Sequence, residues 1–167
     1  MRNVFNVLAL GLLVAGAAVG GAPPEIRVSF APALRAELDK RYGSEEAAVL
    51  GGFVTDSMHR ALKRPGAPEG TGLTVEVVLE SARPSHPTRA QTFADPALDP
   101  MRSRSLGGAT LSGTVRDRDG RVLTSLSYEH YPVDFTTASA GGDPWADARI
   151  AIDGFTAALV KRMHAQR

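Results

Sequence analysis

The stretch from Gly108 to Tyr131, GATLSGTVRDRDGRVLTSLSYEHY, decides the fold. Two alternating runs flank Asp117-Arg118-Asp119-Gly120, a cluster of turn residues. With those four residues as the loop, Val115 lies opposite Val122, Gly113 opposite Thr124, Leu111 opposite Leu126 and Ala109 opposite Tyr128. A two-residue Asp119-Gly120 loop moves the register by two and keeps the same faces together. Small residues then oppose large ones on an apolar face. The other face carries Thr110, Ser112, Thr114 and Arg116 beside Leu123, Ser125, Ser127 and Glu129, mostly hydroxyls and charges. One dry face and one wet face predict a sheet covered by helices on one side only.

Working outward, Glu25–Phe30 (EIRVSF) alternates with Ile26, Val28 and Phe30 on one side, and predicts a half-buried strand. Leu34, Leu38 and Tyr42 recur every fourth residue between Pro32 and Tyr42 and predict a short helix stopped by Gly43. Ser44 to Arg64 predicts a longer helix. Ser44 is its expected N-cap, Glu45 and Glu46 lie at the positive end of the dipole, and Lys63-Arg64 with Pro65-Gly66 close it. Its apolar stripe is Leu50, Val54, Met58, Ala61 and Leu62, widened by Ala47 and Phe53. Gly51-Gly52 in its middle suggests a close approach of helix to sheet. Leu73 to Ala82 alternates again, with Leu73, Val75, Val77 and Leu79 facing in. Strand, helix and strand make a βαβ unit with parallel strands. Asp143 to Arg167 predicts the closing helix, with Asp143 as N-cap and Pro144 at the first position. Its stripe is Trp145, Ala148, Ile152, Phe155, Leu159 and Met163. The predicted class is therefore α+β: a two-layer sandwich ordered β-α-β, long loop, β-hairpin, α, with about four strands and two main helices on one face.

Composition narrows the function without choosing one. The chain has 167 residues, 19 Lys+Arg against 18 Asp+Glu and no cysteine. Hydrophobic residues make up 43% and charged residues 22%, which describes a folded globule rather than a disordered segment. Near-neutrality argues against nucleic acid or an anionic membrane as the main partner. The missing cysteines exclude disulfides and thiolate chemistry. Arg2, the apolar run Val4–Val19 and the small residues Gly20-Gly21-Ala22 form a signal-peptide pattern. Residues 1–20 are expected to be the leader and 21–167 a single domain, periplasmic or secreted, with no membrane span after leader removal. Cleavage falls after Gly20 in preference to Ala22. Retention as an anchor is the alternative, against which the sixteen-residue run is short of the ~20 residues that span a bilayer.

Chemistry, if present, is expected between Arg83 and Gly107 (RPSHPTRAQTFADPALDPMRSRSLG), a proline-rich stretch without apolar period. The plain expectation is a surface loop packed through Phe93 and Leu98. A hydrolase would use His86 as general base, oriented by Asp95 or Asp99, with Ser85 or Ser103 attacking, or a carboxyl pair from Asp95, Asp99 and Glu80. No Gly-x-Ser-x-Gly elbow supports it. Arg102 and Arg104 with Ser103, Ser105 and Gly107-Gly108 could cradle an anion. His86, Asp95, Asp99, Arg102 and Arg104 are thus the candidate binding residues, with no catalytic residue assigned. His59, His86, His130 and His164 show no ligand spacing, so no metal and no cofactor is expected. Asp117–Gly120 lacks the further acidic ligands of a calcium loop.

Several short segments resemble an uncharacterised group of bacterial exported proteins of the domain-of-unknown-function type. They are Val28-Ser29-Phe30, Tyr42-Gly43-Ser44-Glu45, Gly72–Val77, Arg83-Pro84 with Pro87-Thr88, Ser105–Ala109, Trp145–Ala148 and Ala151–Phe155. The resemblance implies an exported, periplasmic protein and brings no catalytic residues. The leading expectation is a non-enzymatic periplasmic binding domain, its partner an envelope protein or cell-wall component held at the 83–107 loop. On that reading, deleting 84–104 should remove the partner and spare the fold. The alternatives are a small envelope hydrolase using His86 with Asp95 or Asp99, and a small-ligand carrier.

Overall fold

The computed structural model describes residues 24–63, 72–140 and 142–165. The expected leader, and the expected stop at Arg64–Gly66, lie outside them. In chain order the elements are β1 (Glu25–Phe30), α1 (Pro32–Glu37) running into a π-helical turn (Leu38–Tyr42), α2 (Glu46–Leu62), β2 (Thr74–Arg83), α3 (Arg89–Ala94), β3 (Gly108–Arg116), β4 (Val122–His130) and α4 (Ala146–Ala165). The class is α+β, as the alternation predicts.

The sheet runs β1-β2-β3-β4, with β1 parallel to β2 and the other pairs antiparallel. The edges are therefore β1 and β4. Val75, Val77 and Leu79 of β2 and Leu111 and Val115 of β3 are buried. α2 covers β1, and α4 covers β3 and β4 while packing on α2. The opposite face holds Glu76, Glu80, Ser112, Thr114 and Arg116. There the Arg116 guanidinium donates to Glu76 at 3.0 Å and Ser112 donates to Glu80 at 2.6 Å. Such exposed pairs contribute little net stability; their use is to keep an open sheet face hydrated.

The hairpin register differs from the four-residue-loop expectation. Ala109 faces His130, Leu111 faces Tyr128, Gly113 faces Leu126 and Val115 faces Thr124. This is the register of the Asp119-Gly120 alternative. The turn itself is longer: Gly120 takes a positive φ of 80° and its amide donates to the Asp117 carbonyl. A bulge beside Val115 and Arg116 absorbs the difference. It leaves Val122 exposed, not inward as expected.

Gly113 has a physical reason to be glycine. A Cβ there would lie 2.6 Å from the Phe155 ring of α4 and 3.2 Å from Leu159. The missing side chain lets α4 settle on β3. Gly113→Val should cost about 1–3 kcal/mol by overpacking, read as a lowered chemical-denaturation midpoint. The Gly51-Gly52 pair has no such reason. A Cβ on Gly51 would make ordinary contact with Phe30, and one on Gly52 would meet nothing within 4 Å.

Helix starts divide between right and wrong. Asp143 caps the turn that leads into α4, its carboxylate accepting from the Trp145 amide at 2.9 Å and its carbonyl from the Ala146 amide, and α4 opens at Ala146 rather than at the expected Pro144. Ser44 does not cap α2. Glu45 holds that position without a side-chain hydrogen bond. Leu34, Leu38 and Tyr42 are all buried, and Gly43 ends the π turn at φ 113°. α2 and α4 are tied by Ser57, which donates to Asp153 at 2.5 Å and lies 2.8 Å from the Thr156 hydroxyl.

Candidate functional site

The 83–107 stretch is more than a surface loop. Thr88-Arg89-Ala90-Gln91 is a capping box: Thr88 Oγ1 accepts from the Gln91 amide and Gln91 Oε1 accepts from the Thr88 amide at 3.1 Å. It starts α3. The Ser/Thr-x-x-Gln pattern that marks it is legible in the sequence and distinguishes this segment from a plain loop. The Thr88 hydroxyl also donates to the Tyr42 carbonyl at 2.6 Å, fastening the stretch to the end of the π turn.

Its other anchor is Asp147, which is fully buried in the first turn of α4. Asp147 Oδ2 accepts from the Ser85 hydroxyl at 2.8 Å and the Gly107 amide at 3.3 Å, and Oδ1 accepts from the Ser139 amide at 2.7 Å. Ser85 in turn donates its amide to the Pro144 carbonyl at 2.7 Å and accepts the Ser105 amide at its carbonyl, 2.9 Å. Both ends of the long stretch and the 131–140 segment thus converge on one carboxylate. A buried carboxylate is tolerated when its lone pairs are met in this way. Neither Asp147 nor this role of Ser85 was expected. Asp147, Ala151, Phe155 and Leu159 recur every fourth residue, so an acid standing on a buried helical row was the available sign.

The candidate residues separate. His86 is buried, and neither ring nitrogen has a partner among the described residues. It lines a cavity of about 180 Å³ with Ser103 and Arg104 among its walls. Asp95, Asp99 and Arg102 are not among those walls. Asp95 accepts from the Ala97 amide at 3.0 Å, and Asp99 from the Met101 and Arg102 amides at 2.8 and 2.9 Å, so both carboxylates brace local turns. Arg104 lies over the Phe135 ring at 5.5 Å and donates to the Ser139 carbonyl at 3.0 Å. Arg102 is exposed. Glu80 is on the wet sheet face, bonded to Ser112. Phe93 is 91% exposed and does not pack the loop down, against expectation. Among the described residues no group of three or more His, Cys, Asp or Glu could hold a metal ion. Among them, too, no helix is long and apolar enough to cross a membrane.

A larger cleft, about 410 Å³, opens at the carboxyl end of β2. Its walls come from α1 and the π turn (Glu37, Arg41, Tyr42), from the end of β2 (Ser81, Arg83) and from Gln91, Ser105 and Tyr131. Arg41 lies over the Tyr42 ring at 5.7 Å and Arg83 over the Tyr131 ring at 5.5 Å. Burial pushes the Tyr42 phenol above its ordinary pKa; Glu37 adds to the rise, while Arg41 and Arg83 oppose it. A raised folded-state value favours the neutral phenol in the native protein. Its stabilising effect is therefore complete below about pH 10, where the unfolded tyrosine begins to ionise, and fades as pH rises through the raised value. Alkaline denaturation followed by circular dichroism should show Tyr42→Phe losing less stability above pH 10 than the native chain.

No protein-family model matches the sequence, and no curated protein matches it. Among solved structures the chain is similar to a crystal structure of a Xanthomonas campestris protein described by the domain of unknown function DUF330. That match has 13% sequence identity and a TM-score of 0.40, and covers 90% of this chain and 91% of that one. It brings this chain neither a substrate nor a catalytic residue.

Proposed function

We propose that this chain is an exported, non-enzymatic binding domain whose partner, an envelope protein, is held on the outer surface of the 83–107 stretch. The observation that carries this reading is an inversion of polarity. The stretch turns Ser85, His86 and Thr88 inward and leaves Phe93 91% and Met101 68% exposed. Val133 and Phe135, in the segment that Arg104 joins to it, are 83% and 53% exposed. Large apolar side chains cost free energy in water, and Phe and Met are enriched at protein interfaces. The latch at Asp147 holds the stretch in one shape, so little ordering entropy is lost on docking. The carboxylates that a His86-based hydrolase would use are occupied by backbone amides, which favours binding over catalysis.

Because Ser85 and Thr88 anchor the fold, deleting 84–104 would test folding rather than binding. Point insertion of a photo-crosslinking amino acid is the better experiment. At Phe93 or Met101, in cells, it should give a discrete adduct that the same group at Ser127 on the wet sheet face does not. Absence of adducts at both positions, or equal adducts at Ser127, would overturn the reading. Adducts with glycan strands in place of protein would overturn the assignment of the partner.

A further inference from the structure

We propose that the cleft at the carboxyl end of β2 binds the carboxylate or phosphate group of a small ligand, clasped between Arg41 and Arg83. The cleft takes Arg83, Gln91 and Ser105 from the 83–107 stretch but neither of its exposed apolar side chains, Phe93 and Met101. At about 410 Å³ the cleft has the volume of a small-molecule site. It lies at the carboxyl end of β2, beside α1 and the π turn.

The chemistry of the walls is that of an anion receptor. Three charged residues line the cleft, Glu37, Arg41 and Arg83, with one positive charge in excess. The Arg41–Glu37 pair is long, 3.8 Å, and exposed, so it neutralises little. Arg83 forms no ion pair among the described residues, and its guanidinium is oriented by the Tyr131 ring instead. Stacking on a ring face uses the plane of a guanidinium and leaves its N–H edge for a planar or tetrahedral oxyanion. Tyr131 is itself fixed, its hydroxyl 2.7 Å from that of Ser81. Gln91 spends its carbonyl oxygen on the Thr88 amide in the capping box. Its amide protons, donors only, remain for a ligand. The walls therefore supply several donors, two of them charged, each guanidinium lying over an aromatic ring.

The test uses the full chain, isotope-labelled, titrated separately with inorganic phosphate and with N-acetylglycine as a peptide-like carboxylate. At least one probe should give saturable amide shifts centred on Arg83, Gln91, Ser105 and Tyr131. Arg41→Gln and Arg83→Gln should each weaken it at least tenfold, as expected for losing one of two charge-assisted contacts. Arg27→Gln, on β1, should leave it unchanged. The tighter probe identifies the source of the oxyanion. Two variants guard against misfolding of either, and retained spectral dispersion verifies each. No saturable shift with either probe, undiminished binding in the folded arginine variants, or equal weakening by Arg27→Gln would overturn the proposal. None of these outcomes bears on the cross-linking at Phe93 and Met101.

Discussion

Asp147→Ala should destabilise the domain by about 3–5 kcal/mol, since it strips the acceptor from several buried donors at about 1–3 kcal/mol each. The side chain has no solvent exposure and serves the Ser85 hydroxyl and the Gly107 and Ser139 amides. Alanine would withdraw the acceptor from all three at once, two of them, the Ser85 hydroxyl and the Gly107 amide, buried. Against the roughly 5–15 kcal/mol of a typical domain this is a large fraction, roughly 10 °C or more in melting temperature. The damage should be local before it is global. The 83–107 stretch and the 131–140 segment lose their common anchor, while the β2–β3 pairing and the stripe of α4 do not. Limited proteolysis should therefore cut within 89–104 and 134–140 at temperatures where the native chain resists. Asp147→Asn keeps one acceptor oxygen but turns an N–H₂ toward a donor, and should cost about 2 kcal/mol. Equal melting of Asp147→Ala and the native chain would show that the carboxylate is not the latch.

Trp145→Ala should come close behind, at about 3–5 kcal/mol. Trp145 is 1% exposed, meets the Tyr42 ring edge-on at a centroid distance of 5.7 Å, and donates its indole N–H to Glu46 at 2.6 Å. Its removal opens a cavity where α4, α2 and the π turn meet, and leaves the buried Glu46 carboxylate without this donor. Trp145→Phe keeps most of the volume and loses the hydrogen bond, for an expected cost of about 1–2 kcal/mol. Glu46→Gln keeps an acceptor and should cost less than Glu46→Leu, both followed by chemical denaturation. The chain has a single tryptophan, so native fluorescence reports this contact directly.

The periodic parts of the molecule were legible in the sequence. Period-two alternation gave β2 and the hairpin their faces, and four-residue recurrence gave α2 and α4 their stripes, because local backbone geometry fixes which side chains share a side. The hairpin register was not fixed by the same logic. Two loops preserve parity equally well, and only the left-handed Gly120 and the bulge next to it choose between them. Legibility fell furthest in the candidate site. His86, Asp95, Asp99, Arg102 and Arg104 lie close in sequence, but Asp95 and Asp99 turn to their own neighbouring amides. His86 enters a wall, and Arg104 crosses to the 131–140 segment. Arg41 and Tyr131 are ninety residues apart and share a cleft.

The amino-acid sequence by itself determined the α+β class, the order of the strands and long helices, the dry and wet faces of the sheet and the apolar rows of those helices. These follow from repeats of 2 and 3.6 residues, which any segment expresses without reference to the rest of the chain. The tertiary structure alone decided that Asp147 is the acceptor for Ser85, Gly107 and Ser139, and that two arginines from different elements face one cleft. Apart from Ser139, eight positions from Asp147, those are residues forty or more positions apart. Their partners are chosen by how α4 and the π turn pack on the sheet, and no local period encodes that choice.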